Sequence, residues 1–552
     1  MPHVLRLSLA LCLLVGAAGR AAGFTDRDSQ ETLTGKAVVM EAMFPDRSHK
    51  RMLVVHTDGG SVVQIQSSKL HSLLAGIRTG QRVRISGRWS PAAAAAADSD
   101  SSGARPAAAG ETVQAGFQAQ RLEALDSGPA ISKPTLAYAA APGGGSGGVV
   151  SAAAGGDRIV LTSNKLASTS KDIRTLVIPI VGKTPRGGAC PGTTLPATTA
   201  DDVRSVVLPE RNPKGVTLGS TYRDCSYGQS LVNARNSMVP EIVELPCQGS
   251  TAGFNWSMST CEGNDMDGIG SAAEAVLIAR GINVSQYPHR LYLMPPGPCK
   301  FLGQANIGCD YSSPLGCRGW IGSGYWKSAP AMVHELGHTL SLDHAGMMQE
   351  GAFNEYADLS CSMGFCCTQR CFNTPHAWQL GWISLQQFDN DSLALGQTVT
   401  ASLASQSRAA RSGVRIVPTW APTVYPLYVG LRTREGGDMG LDAGFVGRLT
   451  VHSANITGPQ DAKKTLLLTT LKPGDSWSHA ATGLVLRFLL LTPSKDATLQ
   501  VCRKGGPETL TTCLKGQDND CNGLAGALDP ACLPLLRNNI PRRPKALLKR
   551  QR

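Results

Sequence analysis

The eleven residues from His334 to His344, HELGHTLSLDH, decide how this chain is read. On a helix, His334 and His338 stand four residues apart, so both imidazoles leave one face toward a single metal ion, with Glu335 beside the open coordination position. His344 completes a three-imidazole ligand set if the chain leaves the helix after His338 and turns back. Such a set suits zinc, which keeps a water in its fourth position and lowers that water's pKa toward neutrality. Glu335 is then the catalytic group, taking the water's proton and passing it to a leaving amine. The expected metal ligands are His334, His338 and His344.

The pattern resembles the metzincin signature HExxHxxGxxH. It departs from that signature at Ser341, where glycine usually supplies the left-handed turn at the helix exit without strain. His344 is therefore the ligand most exposed to error, and Glu350 or Glu355 is the alternative third ligand. Met363, about twenty residues after His344, fits the Met-turn that such proteins place beneath the metal. Taken in order, CSYGQSLVNARNSMVPEIVELPC (225–247), ANIGCDY (305–311), CRGWIGSGYW (317–326), HELGHTLSLDHAG (334–346), YADLSCSMG (356–364) and CFNTPHAWQLGW (371–382) resemble the gametolysin family of algal cell-wall and matrix metalloproteases. The likeness runs from about Gly155 to Arg503. It implies a secreted zinc endopeptidase that hydrolyses extracellular matrix or cell-wall glycoproteins and is made with a removable propeptide. Some family members carry Gln at the first His and have been linked to copper; His334 makes zinc the first expectation and copper a distant alternative.

Composition sets the frame around this motif. MPHVLRLSLALCLLVGAAGRAAG (1–23) has a charged start, a short apolar run and small residues at cleavage spacing, which is a signal peptide. No later stretch of about twenty uninterrupted apolar residues offers a membrane span. Residues 24–156 read as a β-rich propeptide, because KAVVMEAMF, KRMLVVHTDG, SVVQIQS and QRVRISGRW alternate apolar and polar residues as a small barrel would. Two Gly/Ala/Ser-rich tracts, near 91–110 and 139–156, are linkers. This unit contains no cysteine, so it has no thiolate with which to silence a metal. Cys190, in PRGGACPG, superficially looks like such a switch but follows a strand of the catalytic sheet and is read as a disulfide partner.

Residues 157–393 form the expected catalytic domain. The strand TLVIPIV, the helix GSAAEAVLIARG and the strand HRLYLMP precede the metal helix, and a loop-rich, disulfide-stapled half follows it. The fold class is α+β, a metzincin-like zinc protease domain between the β prosegment and a C-terminal β-sandwich. A substrate peptide adds to an edge strand of the cleft by backbone hydrogen bonds. Residues 394–505 supply the sandwich, through YPLYVGLRT, FVGRLTVHSA, KTLLLTTL and TGLVLRFLLLT. The final unit, 506–552, carries DNDCNGLAGALD, in which Asp518, Asp520, Asn522 and Asp529 follow a calcium-loop pattern. An acidic turn closed by a Cys521–Cys532 disulfide is the competing reading of that segment.

The chain has 16 cysteines, and removal of Cys12 with the signal leaves an odd number, so one thiol is unpaired, metal-bound or joined to another chain. Sequons at Asn255, Asn283, Asn390 and Asn455 suit a glycosylated secretory product. A net charge of +12 and a pI near 9.0 favour acidic partners such as acidic polysaccharide, while the export signal argues against nucleic acid. The rival expectation is a catalytically silent matrix or glycan-binding protein that retains the protease fold.

Overall fold

The computed structural model describes residues 30–74, 76–90, 116–125, 161–162, 172–251, 254–261 and 263–538. The expected signal peptide, both low-complexity tracts and most of the basic tail lie outside the described residues. The described chain is mostly strand with few helices.

Five strands open it: β1 (Glu31–Met43), β2 (His49–Thr57), β3 (Val62–Gln66), β4 (Arg82–Ser90) and β5 (Gly116–Ala124). They pair in the order β2-β3-β5-β4-β1, and a further β1–β2 pairing closes the ring. Their alternating apolar side chains, among them Ala37, Val39, Leu53, Val55, Ile65, Val83, Ile85 and Phe117, fill the interior. Alternation turns every second side chain inward, and closure removes the free edges of a small sheet.

The central sheet is built from β6 (Thr175–Gly182), β7 (Val243–Leu245), β8 (His289–Leu293), β9 (Gly303–Asn306) and β10 (Cys317–Ile321). Strands β6, β8 and β10 run parallel, whereas β9 lies antiparallel to β10 at the end of the series. The two groups of strands are continuous, because β1 pairs antiparallel with β9 and makes one ten-stranded sheet. One face of the central sheet packs on helix α1 (Gly263–Ala279), with Leu176, Ile178, Ile180, Tyr292 and Trp320 against Met266, Ile269, Ala273 and Leu277. The other face receives helix α2 (Ala329–Thr339), through Val177, Leu291, Leu293 and Ile321 against Met332, Val333, Leu336 and Leu340. Both faces are thus covered, and near-continuous apolar strands result.

After α2 the chain enters the loop-rich part, then two more sheets. Arg411–Ile416, Leu427–Arg432, Arg448–Ser453 and Thr465–Leu471 belong to one; Thr398–Leu403, Ser476–His479, Leu484–Leu491 and Ala497–Arg503 form the other. Val414, Val429 and Val451 of the first meet Val399, Leu486, Leu499 and Val501 of the second in one core. The first of these sheets is tied to α2, since Ala345–Gln349 pairs parallel with Thr465–Leu471 directly after His344.

Among the described residues seven disulfides form: Cys190–Cys247, Cys225–Cys371, Cys261–Cys299, Cys309–Cys317, Cys366–Cys367, Cys502–Cys521 and Cys513–Cys532. Cys190 is an ordinary disulfide partner. The Cys521–Cys532 bond of the competing reading does not form; each of these cysteines is tied to an earlier partner, Cys502 on a strand and Cys513 on a helix. Spacing along the chain carries no information about which sulfurs packing brings together. Among the described residues Cys361 alone is unpaired, and it is buried.

Candidate metal centre

Helix α2 starts at Ser328, whose hydroxyl accepts from the Ala331 N–H, and Pro330 lies in its first turn, where a missing N–H costs nothing. Ten of its eleven residues are buried. A helix enclosed all round is rigid support for ligands. At its exit Ser341 has φ of 68°, the left-handed conformation that glycine was expected to supply. Its N–H bonds the His338 carbonyl at 2.9 Å and the Leu342 N–H bonds the Gly337 carbonyl at 3.1 Å, so the chain reverses despite the Cβ. Gln379 Nε2 donates to the Ser341 carbonyl at 2.9 Å and holds the reversal from outside.

The turn brings His344 back to His334 and His338, with the ligand nitrogens of all three within 4.8 Å of one another. Each Nδ1 is directed to an oxygen: His334 to the Ser362 carbonyl at 2.8 Å, His338 to the Leu342 carbonyl at 2.9 Å, and His344 to Glu355 Oε1 at 2.9 Å. These bonds orient the rings and leave the Nε2 atoms facing inward. Nε2 of His338 and Nε2 of His344 are 3.1 Å apart, which requires a shared proton or a metal ion between them. His334 Nε2 is buried and has no hydrogen-bond partner at all. An orphaned imidazole nitrogen beside two others fits a metal ion and little else. Burial pushes the His334 and His338 imidazoles below their ordinary value, His338 to about 4, so both are neutral at physiological pH, the form that can bind a metal. For His344, burial acts in the same direction, but Glu41 and Glu355 outweigh it and raise the group to about 9.

Glu335 lies on the same helix with Oε1 buried and unpartnered, and burial pushes its carboxyl well above the usual range. Room for it comes from Gly303 on β9, where a Cβ would stand 2.1 Å from Oε1. Met363 is fully buried, and its Sδ lies where a Cβ on Gly337 of α2 would be only 2.6 Å away. The sulfur therefore sits against the backbone of α2.

Of the two alternative ligands, Glu350 is exposed in the turn before Ala352–Asn354, with φ of 50°, and does not approach the site. Glu355 is present but grips His344 from behind. The same side of His344 holds Glu41, 3.3 Å from Nδ1, and Arg51, which bonds Glu41 at 2.5 Å and Asp343 at 2.9 Å. The Tyr356 ring lies 4.2 Å from the His344 ring, with its hydroxyl buried and unpartnered. Sequence reasoning missed Glu41, Arg51, Asp343 and Tyr356; only the Glu355–Tyr356 adjacency offered any signal.

In the C-terminal loop, Asp518 and Asp520 gather with Glu508, which the sequence pattern did not include. Asp518 accepts the Asn522 and Gly523 N–H groups, and Asn522 Nδ2 donates to Asp529 Oδ2 at 3.1 Å. These oxygens are engaged with the loop's own backbone and amide.

Among the described residues no helix is long and apolar enough to cross a membrane. No solved structure matches the chain. It is 24% identical over 444 residues to the autolysin of Chlamydomonas reinhardtii, an alignment covering 63% of this chain and 67% of that protein. The profile of the gametolysin peptidase M11 family matches residues 186–480, more than half of the sequence, and encloses the three imidazoles and Glu335. This chain belongs to the gametolysin peptidase family and is a metalloendopeptidase whose family membership implies a bound metal ion, usually zinc.

Proposed function

We propose that the chain is a secreted zinc endopeptidase acting on extracellular matrix or cell-wall glycoproteins, with His334, His338 and His344 as ligands and Glu335 as general base. The observation that carries this reading is the convergence of three buried imidazole nitrogens beside an unpartnered Glu335 oxygen. Bound there, zinc supplies Lewis-acid polarisation of the scissile carbonyl and acidifies the attacking water. Glu335 takes the water's proton onto Oε1 and returns it to the leaving amine nitrogen. Burial raises the proton affinity of this carboxyl, which favours its holding the proton until the C–N bond breaks. Met363 supports α2 from below, and Glu355 fixes the ring of His344.

The substrate class rests on family resemblance, and the charge of +12 favours acidic polysaccharide near the target. Export is supported by the signal-like residues 1–23 and the seven disulfides, which persist in oxidising compartments. Residues 24–156 act as the propeptide, 157–393 as the catalytic domain, and 394–505 as a β-sandwich that presents it to matrix.

The deciding experiment is Glu335→Ala in the zinc-loaded protein, with matrix glycoprotein as substrate and a chelator control. Zinc content stays at the wild-type level and hydrolysis falls about 10²–10⁴-fold. Equal hydrolysis by both proteins overturns the assignment.

A further inference from the structure

Strand β1 changes partner along its length. Residues 31–36 pair with β4, whereas Met40–Met43 pair with β9, in the register Met40↔Asn306, Glu41↔Ala305, Ala42↔Gln304 and Met43↔Gly303. The Leu302 N–H donates to the Met43 carbonyl at 2.7 Å and the Ile307 N–H to the Val39 carbonyl at 2.8 Å, bracketing the paired segment. Without β1, β9 would be the edge of the central sheet, and it is the strand that lies along the metal helix at Gly303 and Glu335. An edge strand has one row of free N–H and C=O groups, so one added strand excludes another.

Strand alternation then sorts the side chains of β1. Met40 and Ala42 enter the core under α1, while Glu41 and Met43 face α2. Met43 is buried among Leu302, Ala331, Tyr356 and Cys366, with Phe365 packed at the margin. It stands opposite the glycine that makes room for the catalytic carboxylate. Neighbouring residues of the N-terminal unit clamp the strand in place. Arg51, across β2 from Glu41, bridges it to Asp343; His49, across from Met43, bonds Glu355 at 2.8 Å; Thr79 Oγ1 donates to the Ile307 carbonyl at 2.6 Å.

We propose that β1 is a built-in pseudosubstrate: Met40–Met43 occupy the β9 edge on which a substrate peptide adds, with Met43 filling the subsite that selects an apolar substrate side chain. This rests on reading the metal centre as the peptidase site, and it gives the N-terminal unit, which has no cysteine, a way to hold the enzyme latent. Cutting the 139–156 linker does not free the edge; the strand must leave. The enzyme accordingly prefers extended peptides carrying an unbranched or γ-branched apolar residue at the Met43 position.

The test places a recognition sequence for a site-specific protease within residues 139–156 of the full chain. After cutting, wild-type protein keeps its N-terminal fragment through gel filtration and hydrolyses a quenched fluorogenic Met-containing peptide no faster than the uncut chain. Cut Met43→Asp protein loses the fragment, and its rate rises about tenfold or more, since each tenfold needs only a small loss of binding free energy. Met43→Ala, with melting temperature monitored, gives the same direction if the aspartate variant folds poorly. A synthetic peptide of residues 36–47, added to the cut variant, raises KM without changing kcat, and the same peptide carrying Met43→Asp has no effect. Equal rates with the fragment retained and released, or inhibition that lowers kcat alone, overturn the proposal. If every form is inert yet a fluorescein-labelled 36–47 peptide binds only after the fragment leaves, the strand assignment stands and the peptidase reading fails. Inert forms that do not bind the labelled peptide overturn both.

Discussion

Replacing Glu355 by glutamine isolates how the third imidazole is held. The His344 Nδ1–Glu355 Oε1 contact is 2.9 Å, and both groups are buried. Glutamine keeps the size and one acceptor oxygen but removes the charge that makes the ring a better ligand. Outer carboxylate partners of a ligating histidine contribute about 10–100-fold in metal affinity. Here Glu41 Oε1 stands 3.3 Å from the same nitrogen and continues to accept when Glu355 is neutralised. The single variant therefore loses about tenfold in zinc affinity, about 1.4 kcal/mol, at the low end of that range. Glu41→Gln alone costs less, and the pair together costs about a hundredfold, more than the two single losses combined, because each acceptor covers for the other. The assay is a competition titration against a chromophoric zinc chelator at neutral pH, with His344→Ala as the reference for outright loss of a ligand. Unchanged affinity in the double variant would refute the positioning role. A Glu355→Gln loss as large as that of His344→Ala would make Glu355 a ligand instead.

Gly303→Ala puts a Cβ 2.1 Å from Glu335 Oε1 and 2.5 Å from its Cδ, forcing the carboxylate aside; kcat/KM drops about 10²-fold with zinc retained, and an unchanged rate would contradict the placement of the base. Burial pushes the Cys361 thiol up to about 12, so iodoacetamide at pH 8 labels it only in denaturant, and rapid labelling of the native protein would count against its enclosure. Burial also acts to raise the Asp358 carboxyl, but His452, with Ser360 and Asn373, outweighs it and holds the group well below its ordinary value. A carboxyl depressed in the folded state stabilises the protein above its unfolded pKa of about 4 and ceases to do so as the pH falls through the lower folded value. Melting temperature against pH should thus fall more gently on the acid side in Asp358→Asn than in wild type; identical acid limbs would remove Asp358 from the account.

The metal site was legible because its geometry is local. His334, Glu335 and His338 lie within two turns of one helix, and the helical repeat alone sets which way they point. Alternation of apolar residues pointed to strands in the N-terminal unit, and spacing from His344 singled out Met363, which is buried against α2. Ser341 shows the limit of residue preference: packing around α2, with Gln379 holding the turn, imposes a left-handed conformation on a residue that does not favour it. The disulfide partners of Cys521 and Cys532 were illegible, since sulfurs pair by proximity in the folded chain.

The sequence by itself pointed to the family and to His334, Glu335 and His338 as one candidate cluster, because these residues lie a few positions apart and a helix fixes their directions. Tertiary structure alone decided what surrounds them. Arg51 and Asp343 are 292 residues apart, yet their ion pair ties the N-terminal unit to the turn that carries His344. Which strand covers β9, which carboxylates orient the third imidazole, and which glycine yields space to Glu335 are set by the docking of one sheet edge on another, and no local periodicity encodes that.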